Sequence, residues 1–176
     1  MTEAENPADT IAIRAFAATD WEILRNMRLA ALKDCQGKFG VSHDEAATYS
    51  SDHWKSTTKG VAHQVFGLFD GTRPIGITAA FTERSDPSGE TALFAMSYIL
   101  SEYRGRGLSR LLYEARLSWV RAQPQFRRVT LSHRKLNEAS RRANQRHGFV
   151  YTKTAPRVWP DGTTEDELFY ELQISR

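Results

Sequence analysis

The sequence predicts an α/β fold built on one mixed sheet. Three observations carry this expectation. The apolar patterns read, in order, strand, two helices, three strands, helix, strand, helix, two strands. Strands interleaved with helices in this way require crossover connections within a sheet. Asp70-Gly71 sits between two apolar runs, which marks a tight hairpin and an antiparallel pair. A long apolar run, Thr91 to Leu100, passes through a glycine–arginine turn into the helical spacing of Leu108, Leu111 and Leu112.

Element by element, "IAIRAF" alternates weakly and reads as a short strand. Thr19-Asp20 offers an N-cap, and Trp21, Leu24, Met27, Ala31 and Leu32 keep a helical period to about Asp34. "CQGKFG" breaks that helix, and Ser42 with Glu45 caps a second one over "SHDEAATYSSDHWKS". "VAHQVFGLFD" and "RPIGITAAFTE" form the hairpin, "SDPSGE" turns, and "TALFAMSYIL" is the central strand. The next helix runs from Leu108 to about Gln123 and stops at Pro124. "RRVTLSH" is a strand, Asn137 caps a helix to His147, and Gly148 is its C-terminal glycine. "FVYTKT" and "ELFYELQI" are the last strands, with "WPDGTTED" as a loop between them. Residues 1–10 read as a disordered leader and residues 11–174 as a single domain.

Composition narrows the function. The 176 residues include one cysteine, Cys35, so no internal disulfide forms and a reducing, cytoplasmic setting is expected. "MTEAENPADT" lacks the basic start and apolar stretch of a signal peptide, and no apolar run approaches the ~18 residues of a membrane span. Charge is uneven: Ser101 to Val150 carries +9, leaving −6 for the remainder. An anionic partner for that segment follows, either a phosphorylated cofactor or nucleic acid. Nucleic acid would require stacking aromatics or a helix-turn-helix. Tyr103, Tyr113, Trp119 and Phe126 form no platform pattern, which disfavours it.

The stretch "EYRGRGLSRLL" places Arg104, Gly105, Arg106 and Gly107 at a helix mouth. Glycines let several N–H groups converge on one oxyanion beside the helix dipole, and the arginines add full charge. Pyrophosphate suits such a cradle, although a glycine turn that only reverses the chain satisfies the same residues. It is not a Walker loop, since no Gly-Lys-Ser/Thr follows, and its glycines do not fit the dinucleotide fingerprint.

"ILSEYRGRGLSRLLYEA" resembles the acetyl-CoA motif of the GNAT superfamily of N-acetyltransferases. The family pattern is Gln or Arg, two residues, Gly, one residue, then Gly or Ala; Arg104, Gly107 and Ser109 fall on it, with Ser109 a small departure. Asn137, Ser140 and Gly148-Phe149 match the following segment, and "DWEILRNMRLAAL" is similar to the first helix of bacterial members. The resemblance implies a central mixed sheet of about seven strands with four helices, splayed between the fourth and fifth strands. Acetyl-CoA would be the co-substrate, with no metal. Backbone groups of Tyr98 and Ile99 would meet its pantetheine arm. Residues Arg104, Gly105, Arg106, Gly107, Leu108 and Ser109, with Arg110 near, would hold the pyrophosphate. Asn137 and Ser140 would contact the arm from the far side, and Arg141 and Arg142 lie near enough to consider for the 3′-phosphate.

The implied chemistry is attack of a neutral amine on the thioester, with a base for the amine and an acid for the thiolate. Many relatives place a tyrosine four residues before the glycine of Gly-Phe; here Asn144 stands there and can only hydrogen-bond the sulfur. Tyr98, Glu83 and His133 are the candidate bases. Acceptor recognition falls to Leu32–Trp54 and Arg157–Glu167. There Phe39, His43, His53, Trp54 and Trp159 offer a pocket, and Asp44, Glu45, Asp161, Glu165 and Asp166 offer attraction for a cation. The "WPDGTTEDELFY" end is similar to relatives that acetylate ribosomal-protein N-termini, while others act on small amines. A monomer or a homodimer is compatible with the resemblance. Asn144 also leaves open a catalytically degenerate acyl-CoA-binding domain or sensor.

Overall fold

The computed structural model describes residues 10–175. The predicted leader therefore lies, apart from Thr10, outside the described residues. The elements are β1 (Ile11–Ala15), α1 (Trp21–Asp34), α2 (His43–Ala47), α3 (Ser51–Thr58), β2 (Lys59–Gly60), β3 (His63–Asp70), β4 (Arg73–Thr82), β5 (Thr91–Ile99), α4 (Ser109–Ala122), β6 (Arg128–Arg134), α5 (Glu138–Arg146), β7 (Val150–Val158) and β8 (Thr164–Gln173). They form an eight-stranded sheet in the order β1-β3-β4-β5-β6-β8-β7, with β2 beside β3. β5 and β6 run parallel, and the other pairs are antiparallel. The sheet is mixed, as the sequence predicts.

The differences from the expected seven strands and four helices have local causes. The second predicted helix is two. Ser42 caps α2 by accepting from the Glu45 N–H at 3.1 Å, and Ser50 restarts the chain by accepting from the His53 N–H at 3.1 Å. A serine cap inside a helical apolar pattern is a restart signal. β2 is a two-residue addition. The last hairpin is longer than expected, because its turn needs only Trp159–Thr163. The Trp159 N–H donates to the Thr163 carbonyl at 2.8 Å, and Asp161 accepts from the Thr163 N–H at 3.0 Å. Pro156 is tolerated in β7 because that strand is the sheet edge.

Helices cover both faces, so β3 and β4 are buried on both sides and do not alternate. Under α1 and α3 lie Phe16, Leu24, Met27, Trp54, Val65, Ile77 and Tyr98. Under α4 and α5 lie Phe94, Tyr113, Leu117, Val120, Leu131, Phe149 and Tyr170. Residues on alternate positions of β5 and β6 therefore look into different compartments.

The central pair is where the sheet fails to close. β5 matches β6 only from Thr91 to Leu93. Its register against β4 shifts between Ile77 and Ala79, and Met96 takes a left-handed backbone conformation with φ 61°. A bulge bends its strand and increases local twist, carrying the second half of β5 away from β6. The predicted splay lies here; the fourth and fifth predicted strands are β5 and β6 once β2 is counted. Thr78 and Ser97 tie the bulge to β4 through their hydroxyls, 2.9 Å apart.

β4 follows the bend closely. A Cβ built on Gly76 would stand 2.7 Å from the Tyr98 carbonyl oxygen. Gly76→Ala must therefore push β4 from β5 at the bulge, with an expected loss of about 1–3 kcal/mol in urea unfolding. A change below about 0.5 kcal/mol would contradict this close approach.

Candidate active site

The gap between β5 and β6 opens into a cleft of about 650 Å³. It runs from the β5 bulge past α4 and α5 to the α1–α2 loop and the β7–β8 hairpin. Of the residues expected at the site, Tyr98, Ile99, Arg104, His133, Asn137, Ser140 and Asn144 line it. Glu83 does not. It sits beyond the far end of β4, where its carboxylate accepts from the Ser85 N–H at 3.1 Å and hydroxyl at 3.0 Å. It is a turn residue, and it drops out as a candidate base.

The glycine loop forms the mouth of α4. Gly105 and Gly107 have φ of 75° and 74°, and a Cβ on either would meet nothing within 4 Å. Left-handed backbone and open space above it explain why both are glycine. Among the described residues, no protein group accepts from the backbone N–H groups of residues 105–109. The first turn of α4 holds no acid. Several unpaired N–H groups at the positive end of a 14-residue helix form an anion cradle.

The arginine side chains are engaged elsewhere. Arg104 donates through Nε to the Ile99 carbonyl at 2.8 Å and through a very short contact to Asp34 at the end of α1. Arg106 folds back onto the Glu102 carbonyl at 3.0 Å and over the Tyr103 ring, and Arg110 pairs with Glu114 at 2.7 Å. The expected side-chain grip on a phosphate thus becomes, in this arrangement, a backbone cradle with Arg104 bracing the strand end. Two backbone groups expected to face the pantetheine are also placed otherwise: the Ile99 carbonyl serves Arg104, and the Tyr98 carbonyl lies against Gly76. Asn137 uses its side-chain oxygen to cap α5, accepting from the Ser140 N–H at 3.2 Å, which leaves its amide N–H groups for the cleft. Arg141 and Arg142 are exposed on α5; Arg141 pairs with Glu138 at 3.5 Å and lies close enough to His133 to act on it.

On the α4–α5 face, sequence reasoning missed two residues. The Tyr113 hydroxyl donates to the Asn144 side-chain oxygen, and the Tyr113 ring stacks on His147 at 3.9 Å. Burial pushes the phenol upward, so it keeps its proton at neutral pH. Arg116, 2% exposed, lies over the Phe94 and Tyr113 rings. Its Nη2 has no partner, and burial lowers the guanidinium to about 10. No motif points to either residue, because Asn144, His147 and Phe94 are distant in sequence.

His133 belongs to this same face. It stacks on Tyr170, and Nδ1 lies 2.8 Å from the Arg134 carbonyl, which assigns the proton to Nδ1. Nε2 is then a bare acceptor, buried and unpartnered. Burial lowers the imidazole, so it is neutral at pH 7. This places it beside Asn137 and Ser140 rather than opposite the bulge. Tyr98 lies on the α1 face, donates to Asp34 at 3.2 Å and is pushed up to about 12, chiefly by burial. A phenol so placed is a donor and does not suit a base.

The α1 face closes over the cleft through Arg134. Its guanidinium donates to the Gly37 carbonyl at 2.9 Å, to Asp161 at 2.8 Å and to Glu165, which fastens the α1–α2 loop to the last hairpin. Two expected cation-attracting acids are thereby spent, and Asp166 pairs with Lys135 at 3.2 Å. Glu45 accepts from Tyr49 and Asp44 lies beside His43, both away from the main cleft. Of the expected pocket aromatics, Phe39 and Trp159 line the cleft; Trp54 is core, and His53 stacks on Tyr49. Glu167 is the one carboxylate lining the cleft among the described residues. It is 8% exposed and accepts from Ser132 at 2.6 Å and from Arg157 at 2.9 and 3.0 Å. Alternation along β8 puts Tyr170 and Glu167 on opposite faces, which a loop reading of residues 159–166 obscured.

Among the described residues, no group of three or more His, Cys, Asp and Glu side chains is arranged to hold a metal, and no helix is long and apolar enough to cross a membrane.

The family model described as "Acetyltransferase (GNAT) family" matches residues 25–149. No curated protein matches the chain significantly in sequence. Solved structures match in fold. An acetyltransferase of the GNAT family from Streptococcus pneumoniae superposes with a TM-score of 0.80 at 19% identity, covering 94% of this chain and 99% of that one. The structure of yncA from Salmonella typhimurium with its cofactor acetyl-CoA gives 0.78 at 19% identity, covering 95% of each. A Salmonella typhimurium acetyl transferase that modifies the N-terminal serine of the 50S ribosomal protein L7/L12 gives 0.73 at 16% identity, covering 97% and 98%.

Arg134 generates a prediction about stability and pH. Glu165 is held below the usual carboxylate range chiefly by Arg134, and Asp161 first by Thr163 and then by Arg134. Folded-state values below unfolded ones mean stability that is present above about pH 4 and lost as pH falls through the lowered values. Arg134→Ala should lower stability at pH 7 and flatten the acid limb of the stability–pH curve in urea unfolding. Hydrogen exchange should rise in residues 37–41 and 159–165. An unchanged acid limb would contradict the clamp.

Proposed function

The chain belongs to the acetyltransferase (GNAT) family, and from that premise we propose that it transfers the acetyl group of acetyl-CoA to a primary amine, of a small molecule or of a peptide N-terminus. It does so as a cytoplasmic enzyme whose residues 11–174 act as a single domain, monomeric or homodimeric. The observation that carries this reading is the splayed β5–β6 cleft, lined at one edge by Arg104, the residue that leads directly into the anion-cradle loop 105–109. A long donor with a pyrophosphate and a thin arm fits that shape.

The backbone N–H groups of residues 105–109 hold the pyrophosphate, and Gly105 and Gly107 allow its close approach. The free edge of β5 from Phe94 to Ser97 receives the arm, with Asn137, Ser140 and His133 Nε2 opposite. At the bulge, the backbone around Met96 and Ser97 polarises the thioester carbonyl and steadies its oxyanion.

The reaction forms an N–C bond, breaks the C–S bond and releases one proton with the free thiol. Cationic surroundings on the α1 face favour the neutral amine, because a nearby positive charge disfavours an ammonium. Once the N–C bond forms, the nitrogen becomes strongly acidic and Glu167 takes its proton, either directly or through Ser132. Tyr113, protonated and positioned by Asn144, delivers a proton to the departing sulfur.

The test is calorimetric titration with acetyl-CoA, followed by a free-thiol assay over an amine and peptide panel. Gly107→Val forces a β-branched residue into left-handed backbone at the cradle. At least tenfold weaker acetyl-CoA binding is expected, with the circular dichroism spectrum retained. Unchanged affinity would defeat the cradle. Binding without thiol release on any acceptor would instead favour a non-catalytic acyl-CoA-binding domain.

The proton carriers have their own test. Glu167→Gln and Tyr113→Phe should each lower kcat by about 10²-fold or more while acetyl-CoA affinity changes little. Tyr113→Phe should also remove the alkaline limb of the kcat–pH profile. Wild-type kcat in either variant would sink that residue's role.

A further inference from the structure

The cleft has two chemically different ends, and the acceptor end is cationic. Four basic residues line its α1 side: Arg28, Lys38, Arg104 and Arg157. Arg104 is matched by Asp34 and Arg157 by Glu167. Lys38 stands exposed at the rim. Arg28 is different. It projects from α1 into the cleft, and its guanidinium lies 4.5 Å from the centre of the Phe39 ring. Among the described residues it has no ion pair, and its Nη1 is buried without a hydrogen-bond partner. A buried guanidinium nitrogen without a partner is costly, and a face of Phe39 offsets only part of that cost. The acids that could have answered it are engaged by Arg134, Lys135 and Tyr49.

A simple alkylamine or a polyamine has nothing to offer such a pocket. A second ammonium would meet an unmatched guanidinium, and no free carboxylate waits for it. A molecule carrying an anion close to its amine answers both demands: it pairs with Arg28, and it leaves Glu167 for the reacting nitrogen. We propose that the acceptor is an amino acid-type molecule, a primary amine with a carboxylate or phosphonate on the same small skeleton, whose anionic group docks on Arg28. This rests on the transfer reading above and narrows its substrate class. Phe39 and Trp159, which also line this end, provide the apolar walls for the remaining side chain.

The test uses matched pairs in the free-thiol assay with acetyl-CoA. Leucine is compared with 3-methylbutylamine, phenylalanine with 2-phenylethylamine, and alanine with 1-aminoethylphosphonate. The acid-bearing member of at least one amine pair should have a kcat/KM tenfold or more above its decarboxylated partner. The alanine–phosphonate pair tells which anion is preferred. Arg28→Gln should raise KM for the acid-bearing acceptor by about 10- to 100-fold, with less than a threefold effect on the decarboxylated one. Arg28→Lys should restore part of the loss.

A second readout does not depend on turnover. In the presence of CoA, the same amino acids should raise the thermal midpoint of the wild type and not of Arg28→Gln, while the matched amines leave both unchanged. If thiol release fails for every acceptor but this difference holds, the transfer reading falls and the anion site stands. Equal use of both members of each pair, preference for a peptide N-terminus, or no shift by any acid-bearing amine would each overturn the proposal.

Discussion

The whole arrangement depends on a central strand pair that separates after three matched positions. β5 and β6 are parallel neighbours in the middle of the sheet, where uninterrupted pairing is the ordinary outcome, yet their register ends at Leu93 and Thr130. The left-handed Met96 and the shifted β4 register bend β5 out of line, and Gly76 lets β4 stay against it. A backbone conformation that costs on the order of 1–2 kcal/mol persists only where its surroundings over-determine it. Here the Thr78–Ser97 hydroxyl bond and the Arg104–Ile99 carbonyl bond do so from both sides. Without the bulge, the two strands would zip together and the space that separates α1 from α5 would vanish.

That separation also sorts charge. Alternation along β5, β6 and β8 sends Phe94, Leu131, His133 and Tyr170 to one compartment and Tyr98, Ser132 and Glu167 to the other. The first compartment is held by neutral or proton-bearing groups and the stacked Arg116. The second is ringed by guanidinium groups, of which most are matched by a carboxylate that also carries structure. Arg104 with Asp34 ties α1 to the end of β5, and Arg134 with Asp161 and Glu165 ties the α1–α2 loop to the hairpin. The Arg134 pairs have low exposure and constrain geometry more than they stabilise the fold, whereas the more exposed Arg104–Asp34 pair contributes mainly by fixing the strand end. In this chain they fix how far the two walls of that end of the cleft stand apart.

Much of this was legible in the sequence, and the part that was not has a common cause. Periodicity and caps located β1, α1, β4, β5, α4 and α5 well, because each depends on residues within one turn or one hairpin. Ser50 was the visible but unused sign that the second helix restarts. The site divided along the same line. The cradle could be read because Gly105, Gly107 and the helix start are contiguous. Arg104 was assigned to a phosphate because nothing local reveals Asp34, seventy positions away. Tyr113 and Glu167 escaped for the same reason: their meaning lies in contacts with Asn144 and Ser132 on other elements, and Arg28 acquires its meaning only in the folded pocket beside Phe39. The acids of the last hairpin looked free only because their partner, Arg134, sits on another strand.

Asn144 shows why a missing residue type is weak grounds for a missing chemistry. An asparagine cannot give up a proton at neutral pH, so the position alone reads as an inert site. In the folded chain its side-chain oxygen receives the Tyr113 hydroxyl from α4, and both residues face the cleft. The stack of Tyr113 on His147, in the last turn of the same helix system, fixes the ring plane. A phenol held by its ring and by one acceptor has little freedom left, and its raised pKa keeps it protonated as a hydrogen-bond donor. In the proposed reaction that hydroxyl comes from the neighbouring helix, with Asn144 as the residue that orients it. A proton donor is defined by where its hydrogen can reach, and two helices that pack side by side offer more than one place from which to reach it.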